Sequence, residues 1–303
     1  MKEFAAVKKL PDSHPLVSIV LPTFNCDRYL SISIESCLKQ TYQNFELIVV
    51  DGGSTDNTLQ IVKGVGDPRI RIYHQPANTG RLPGALNIGF SHAQGDFYTW
   101  AQGDDYYKTE AIEVMVSYLL RNPEVGLVYT GMWMIDGDGC VMSESKILSP
   151  DTLVSANPVQ HCFLYRREVA ERVGEYNVDF LMVEDVEYWM RIYKNFKVAV
   201  IKDRYYYHRF HSESLTIKNY GGHLAQRRLA DASKFHFGTG WLQYRKRIAQ
   251  VYIDEAFAAF ENNDYKHVLA CISKGTMHNP MWLGKRGVLS IGTQSLSNIL
   301  RGA

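Results

Sequence analysis

Hydrophobic residues follow two alternating patterns along the first two thirds of the chain. Residues 17–21 are almost wholly apolar and residues 47–50 are wholly so, as in strands covered on both faces of a parallel sheet. Between them, helical spacing links Tyr29, Leu30, Ile34, Cys37 and Leu38 and predicts a helix over residues 29–40. After Asp51, either Ser54 or Asp56 can cap a second helix through residues 59–62. This order of strands and helices predicts an α/β protein with an open sheet flanked by helices.

The pattern changes near residue 220. Before it, further strands are predicted at residues 69–74, 125–135 and 198–201, a helix from residue 108, and a hairpin turn at residues 136–139. After it, amphipathic patterns predict helices over residues 224–237, 244–261 and 265–278, the last one stopped by Asn279-Pro280. We therefore expect an N-terminal extension over residues 1–14, an α/β domain over residues 15–218 and a C-terminal helical region over residues 219–303. The tail from residue 281 is interpreted as a docked amphipathic helix, with a helix lying on a membrane as the alternative.

Polar clusters follow three of the predicted strands. Pro22, Thr23 and Asn25 end the first strand, Asp51 ends the second, and a Gly-Asp-Asp sequence at residues 103–105 ends the strand near residues 97–101. In open α/β sheets the ligand crevice lies at the carboxyl ends of the strands. Two adjacent carboxylates there repel each other unless a cation lies between them and a ligand. A simple turn is the alternative, since Gly-Asp-Asp is also common turn chemistry.

Bulk composition fits an ordinary globular chain, with 303 residues, 46% hydrophobic and 21% charged. The five cysteines are scattered and form no C-x-x-C pair, which argues against a disulfide framework and a zinc site and for a reducing compartment. Neither a signal peptide nor a spanning segment is apparent, so we expect a cytoplasmic protein. Residues 1–200 carry a net charge of −7 and residues 201–303 one of +8. The basic part predicts peripheral contact with the inner membrane surface or an anionic ligand; solvated helix faces are the alternative.

Six segments, in order, resemble the family 2 inverting glycosyltransferases of the GT-A fold. They are residues 17–25, 49–58, 85–89, 103–105, 183–191 and 209–216. The resemblance covers about residues 15–216, and residues 99–105 and 160–162 are most similar to the spore-coat-polysaccharide type. It implies an open mixed sheet flanked by helices, with a C-terminal helical extension. It also implies that a sugar moves from a nucleotide-diphosphate donor to a hydroxyl of a saccharide or lipid-linked acceptor in polysaccharide or cell-surface glycan synthesis.

The same resemblance implies roles for individual residues. Asp105 and His211 would hold Mn²⁺ or Mg²⁺, and Asp185 would be the general base. The nucleotide-sugar donor would contact Pro22, Thr23, Asn25, Asp51, Arg81 and Asp104. His161 and Glu184 would lie on the acceptor side. No nucleic acid partner is expected.

Several of these roles have structural alternatives. Asp185 could simply cap the helix that begins there, His211 could be structural, and Arg81 could be a solvated loop residue. Gly52 stands where many family members carry an acid, which leaves Asp51 as the only acid of that motif and the uridine donor in question. A catalytically inactive nucleotide-sugar-binding or scaffold protein on the same fold is the second hypothesis. A nucleotidyltransferase is the third, although residues 17–28 lack the Gly-rich phosphate loop that such enzymes carry.

Overall fold

A computed structural model describes residues 14–75, 82–154, 156–180, 182–212, 223–238, 240–284 and 287–301. The chain divides into two compact units. The first comprises the residues up to Leu153, Asn157–Val178 and Arg191–Phe210; the second comprises Val154–Ala156, Asp179–Met190 and the residues from His211 onward. The predicted domain boundaries at residues 14 and 218 stay predictions, because residues 1–13 and 213–222 lie outside the described part of the chain.

The first unit is built on a mixed sheet whose described strands number nine. They are β1 (Val17–Thr23), β2 (Phe45–Asp51), β3 (Ile70–His74), β4 (Phe97–Trp100), β5 (Tyr106–Tyr107), β6 (Val125–Ile135), β7 (Val141–Glu144), β8 (Phe163–Arg166) and β9 (Lys197–Arg209). The strand order is β3-β2-β1-β4-β8-β6-β9-β5, with β7 paired to β6. Pairing is parallel from β3 to β4 and again between β6 and β9, and antiparallel at β8, β7 and β5.

Six helices accompany this sheet in the chain. They are α1 (Asp27–Leu38), α2 (Thr58–Val65), α3 (Leu82–Ser91), α4 (Ala111–Arg121), α5 (Arg167–Val173) and α6 (Glu184–Asn195), whose first seven residues belong to the second unit. Helix α3 approaches β1 closely at Gly89, which has no Cβ. A Cβ added there would lie 2.4 Å from Cγ1 of Val20. A larger residue at position 89 would push this helix away from the sheet.

Most of the predicted elements are confirmed, with shifted ends. The helix expected from residue 108 begins at Ala111, and the helix after β2 begins at Thr58, whose backbone N–H donates to Asp56 Oδ1 over 3.0 Å. The hairpin at residues 136–139 joins antiparallel β6 and β7. The short strand predicted at residues 198–201 was wrong in length, since β9 continues to Arg209. Its second half pairs with β5, a contact that local spacing does not reveal.

The second unit contains four further described helices. They are α7 (His223–Phe237), α8 (Trp241–Glu261), α9 (Tyr265–His278) and α10 (Val288–Leu300). Asp264 caps α9 by accepting from the backbone N–H of His267, and Asn279-Pro280 ends it as predicted. Small and aliphatic side chains of α8, α9 and α10 form its core: Ala256, Ala259, Val268, Cys271 and Ile291. Among the described residues, no helix has the length and hydrophobicity that crossing a bilayer requires.

Candidate functional site

The carboxylate of Asp51 organises the loop after β2. The side chain is 1% exposed, and it accepts hydrogen bonds from the backbone N–H of Gly53 (3.0 Å) and Ser54 (3.1 Å) and from the Ser54 hydroxyl (2.6 Å). Gly53 has φ +88°, a backbone conformation that side chains with a Cβ rarely adopt. Asp51 therefore has a structural role, because its hydrogen bonds hold the loop after β2 in place.

The loop after β1 is tied to the same rim. In the β1–β2 register Thr23 lies opposite Asp51, and the backbone N–H of Gly52 donates to the Thr23 carbonyl over 2.8 Å. Asn25 has φ +46°; its backbone N–H donates to Ser54 Oγ (3.0 Å), and its side-chain oxygen accepts from the Thr55 N–H (2.8 Å). Pro22, Thr23, Asn25 and Asp51 thus lie together, as the sequence predicts, at the ends of β1 and β2 and in the loop that follows β1. Whether they contact a donor stays a prediction.

The Asp104–Asp105 pair lies just beyond β4, and its two carboxyl groups differ in environment. Asp105 is 1% exposed; its Oδ1 accepts from the backbone N–H of Arg209 (2.8 Å) and its Oδ2 lies 2.9 Å from His208 Nδ1. Asp104 is only partly buried. Hydrogen bonds to Arg209 and His208 occupy part of the acceptor capacity of Asp105, and a carboxylate offers about four lone-pair positions in all. Asp105 keeps the capacity to bind a cation.

Two histidines extend this cluster. The rings of His161 and His208 stack with centroids 4.5 Å apart, and Nε2 of Gln102 lies 2.8 Å from His161 Nδ1. Burial and the neighbouring His208 lower the pKa of His161 to about 3, so its imidazole is neutral at neutral pH. For His208 burial favours the neutral form, but the charge and hydrogen bond of Asp105 outweigh it and raise the pKa. The arrangement provides one neutral and one readily charged imidazole side by side.

Arg209 holds the acidic loop in place. It is 3% exposed; its Nε donates to the Asp104 carbonyl (3.0 Å) and its Nη1 to the Gly137 carbonyl (2.9 Å) in the β6–β7 turn. Its guanidinium also lies over the Tyr29 ring, 4.4 Å from the centroid. One buried cation therefore links the acidic loop, the hairpin and helix α1.

The predicted base lies in the second unit, on the first turn of α6. Asp185 is the second residue of that helix and is partly exposed. Glu184 beside it is buried, and its Oε2 has no hydrogen-bond partner among the described residues. Burial, together with the charge of Asp185, raises the pKa of Glu184 to about 7. A substantial fraction of Glu184 is therefore protonated near neutral pH.

This raised pKa makes stability depend on pH. Between the ordinary value of 4.5 and about 7 the folded protein binds more protons at Glu184 than the unfolded chain, so the free energy of unfolding falls as pH rises through that window. We expect that in Glu184→Gln the free energy of unfolding no longer falls at this position as pH rises. Above pH 7 the variant should be more stable than the parent by up to about 3 kcal/mol, and below pH 4.5 about equally stable.

Denaturant unfolding at a series of pH values measures this effect. Glu261→Gln, at an exposed position of α8, is the matched control. Its free energy of unfolding should change with pH as that of the parent does. Parallel curves for Glu184→Gln as well would mean that Glu184 titrates normally.

Of the other predicted residues, His211 is partly buried and belongs to the second unit, one residue after Phe210. Arg81 lies outside the described residues. Sequence reasoning missed three contacts at the acidic loop, those of Gln102, His208 and Arg209. A signal was present for two of them, since His208 and Arg209 stand three and two residues before the predicted metal residue His211.

The donor set of the acidic loop fits a hard divalent cation. Mg²⁺ and similar ions bind through one or two protein carboxylates plus substrate phosphates and water. Asp104 and Asp105 supply two carboxylates, and one of them is oriented by two hydrogen bonds. Both hydrogen bonds that orient Asp105 come from nitrogen atoms, and carboxylate oxygens suit a hard cation rather than a soft one.

Comparison with known proteins agrees with this geometry. The sequence profile described as Glycosyl transferase family 2 matches residues 18–174, which is more than half of the chain. The chain belongs to glycosyltransferase family 2. An uncharacterized glycosyltransferase of Haemophilus influenzae is 40% identical over 110 residues, covering 36% of this chain and 44% of that protein. The chondroitin synthase of Pasteurella multocida is 27% identical over 223 residues, covering 70% of this chain and 23% of that protein.

A solved structure extends the likeness to the fold. The crystal structure of S. aureus TarS residues 1–349 in complex with UDP-GlcNAc superposes with a TM-score of 0.61 at 19% identity, covering 88% of this chain and 91% of that chain. The predicted GT-A fold is thereby confirmed. The chain spans less than half the length of the first curated relatives it matches.

Proposed function

We propose that this protein is a metal-dependent inverting glycosyltransferase that moves a sugar from a nucleotide-diphosphate donor to a hydroxyl of a saccharide or lipid-linked acceptor. The observation that carries the proposal is the rim at the carboxyl ends of β1, β2 and β4. There the Asp51 loop follows β2 and the Asp104–Asp105 pair follows β4, and these strands are the two parallel neighbours of β1. Ligands of open α/β sheets bind at this edge. The likeness to a chondroitin synthase supports a role in polysaccharide or cell-surface glycan synthesis.

The first chemical requirement is to neutralise the departing diphosphate. Mn²⁺ or Mg²⁺ would supply Lewis-acid stabilisation of that charge when bound. Asp105 and His211 would hold the ion, and Asp104 would contact the ribose side of the donor. The hydrogen bonds from Arg209 and His208 keep the Asp105 carboxylate in one orientation. A fixed carboxylate needs no reorganisation when the donor arrives.

The second requirement is to deprotonate the acceptor. In a single displacement the acceptor oxygen attacks the anomeric carbon, the bond from that carbon to the diphosphate oxygen breaks, and the hydroxyl proton passes to a base. One carboxylate suffices for inversion. Asp185 is assigned this role because it matches the base of the family's motif, and its partly exposed position on the first turn of α6, where the helix dipole favours its charged form, supports the assignment. Glu184 and His161 are assigned to the acceptor side.

Two observations bear on the nucleotide of the donor. The UDP-GlcNAc complex of TarS supports a uridine donor, whereas Gly52 replaces the acid that many family members use there. A Cβ at position 52 would meet Phe24, Thr23 and Gln75 at 3.5 to 3.6 Å, ordinary contact distances. Position 52 therefore has space for a Cβ.

Slow donor hydrolysis tests the proposal as a whole. Purified protein is incubated with a panel of uridine, guanosine, thymidine and cytidine diphosphate sugars, with Mn²⁺ or with chelator. We expect one nucleotide class to be hydrolysed, and only with the metal. Binding without hydrolysis would favour the inactive nucleotide-sugar-binding protein, and absence of both would reject the whole assignment.

We also propose peripheral contact with an anionic membrane through the second unit. Large apolar side chains are exposed where α8 begins: Trp241 is 60% exposed and Leu242 67%. Arg245 lies over the Trp241 ring, 4.5 Å from its centroid, and donates to the carbonyl of Met277. An aromatic and aliphatic patch beside a cation, in the part of the chain with net charge +8, suits an acidic lipid surface. We propose that the protein is cytoplasmic and makes this contact at the inner membrane surface.

Vesicle sedimentation measures this contact. We expect the protein to pellet with phosphatidylglycerol-rich vesicles and not with phosphatidylcholine ones, and to be released by raised salt. Replacing Trp241 and Leu242 together by serine should abolish pelleting. Replacing Val141 and Met142 by serine is the matched control, since both are exposed on β7 of the first unit. Equal loss in both double variants would contradict a specific patch.

A further inference from the structure

Three side chains with metal-ligating atoms meet between two helices of the second unit. Glu255 lies on α8, and His267 and Cys271 lie four residues apart on α9. One ring nitrogen faces both partners: Nε2 of His267 is 3.0 Å from Glu255 Oε1 and 3.4 Å from Cys271 Sγ. The three ligand atoms all lie within 4.8 Å of one another. A thiol, an imidazole and a carboxylate are thus gathered around one point.

From this arrangement we propose a transition-metal site, with Zn²⁺ as the expected ion, held by Glu255, His267 and Cys271. Zn²⁺ binds these three ligand types tetrahedrally, at about 2.0–2.2 Å to nitrogen and oxygen and about 2.3 Å to sulfur. Those bond lengths place neighbouring ligand atoms roughly 3.3–3.6 Å apart. The two separations from His267 Nε2 differ from these values by no more than a few tenths of an ångström, and the third, between Glu255 and Cys271, is at most 4.8 Å.

The surroundings suit such a site. Cys271 is 2% exposed and belongs to the apolar core formed with Ala256, Ala259, Val268 and Ile291, so one side of the site is dry. The His267 side chain is 43% exposed, which leaves the other side open to water as a fourth ligand. Binding would convert the Cys271 thiol to a thiolate and release its proton to solvent. The ion would join α8 to α9.

The alternative is a hydrogen-bonded cluster without metal, in which His267 pairs with Glu255. The two readings differ in one respect that can be measured. A hydrogen-bonded cluster leaves stability independent of added metal, whereas binding to the folded state alone raises the melting temperature. The site is separate from the proposed Asp105 metal, which has a different donor set and depends on no thiol. The inference therefore stands or falls independently of glycosyl transfer.

Cobalt titration of metal-stripped protein tests the proposal. We expect Co²⁺ to produce a thiolate-to-cobalt charge-transfer band that saturates at one ion per chain, and Zn²⁺ to abolish it by displacement. The band should vanish in Cys271→Ser and His267→Gln. In Glu255→Gln the affinity for Co²⁺ should fall by at least about tenfold. The parent should also melt at higher temperature with Zn²⁺, and His267→Gln should not.

Cys26→Ser is the decisive control. A Cβ added at Gly103 would lie 2.9 Å from the Cys26 sulfur, so Cys26 is the thiol that would report an ion at the acidic loop. The Cys26→Ser variant should give the same charge-transfer band as the parent. Cys140→Ser, at an exposed position, should do so too. His267→Gln changes a half-exposed side chain and remains informative if the buried Cys271→Ser fails to fold. No band in the parent, or a band that survives His267→Gln, overturns the proposal.

Discussion

Asp185→Asn should abolish sugar transfer while leaving the protein folded and able to bind its donor. Asparagine has the shape of aspartate but cannot take the acceptor proton, and general-base assistance is typically worth about 10²–10⁴-fold in rate. The stability cost should stay below about 1 kcal/mol, since asparagine keeps the shape of the side chain and removes the charge that interacts with the helix N-terminus. Turnover at saturating donor and acceptor measures the effect.

The controls for this variant separate chemistry from structure. Asp179→Asn, at an exposed position of the same unit, should transfer at the parent rate. Asp185→Asn should also lower the pKa of Glu184, because the charge of Asp185 contributes to raising it. If Asp185→Asn transfers as fast as the parent, Asp185 is not the base, and the family assignment is unaffected.

Asp105→Asn should remove the metal-dependent part of donor binding. The carboxylate is the proposed ion ligand, and an amide oxygen is a weaker ligand without charge. We expect nucleoside diphosphate to bind the variant in Mn²⁺ no better than it binds the parent in chelator, a loss of at least about tenfold or 1.4 kcal/mol. Titration calorimetry with each nucleoside diphosphate, with and without Mn²⁺, measures it.

Asp105 is also structural, so the variant needs a stability measurement. An asparagine oxygen can still accept from the Arg209 N–H, but its amide group would face His208 Nδ1. A stability loss of about 1–3 kcal/mol is expected from that mismatch. Asp138→Asn, at an exposed position of the β6–β7 turn, is the matched control for loss of one acid. Equal metal dependence in Asp105→Asn and the parent would exclude Asp105 as the ligand.

The parallel half of the sheet was predictable because its signals are local. The apolar run at residues 47–50 is buried on both faces in β2, and Leu47 to Val50 are wholly inaccessible. The bounds of α9 were predicted to the residue, since an aspartate cap precedes it and Asn279-Pro280 follows it. Such elements carry their start and stop signals within a few residues of themselves.

The environment of the acidic pair was not predictable in the same way. Asp105 is 103 residues from His208 in the chain, and the two meet because β5 pairs with β9. The outer half of β9 has mixed charged and aromatic residues, a pattern that gave no strand signal beyond residue 201. The structural role of Asp51 was also not predictable, because it depends on hydrogen bonds from the backbone of residues 53 and 54 that form only in the folded loop.

Sequence pattern alone was enough for most strands and helices, though not for β5, β8 and α5, and for the polar residues that follow β1, β2 and β4 and the family. These follow from periodicity, caps and motif spacing, which act over a few residues. The tertiary structure decided which groups contact each acid: His208 and Arg209 at Asp105, His161 beside His208, and a buried carboxyl at Glu184. It also decided the meeting of Glu255 with His267 and Cys271. Burial and pairing across distant segments set protonation and ligand geometry, and those exist only once the chain has folded.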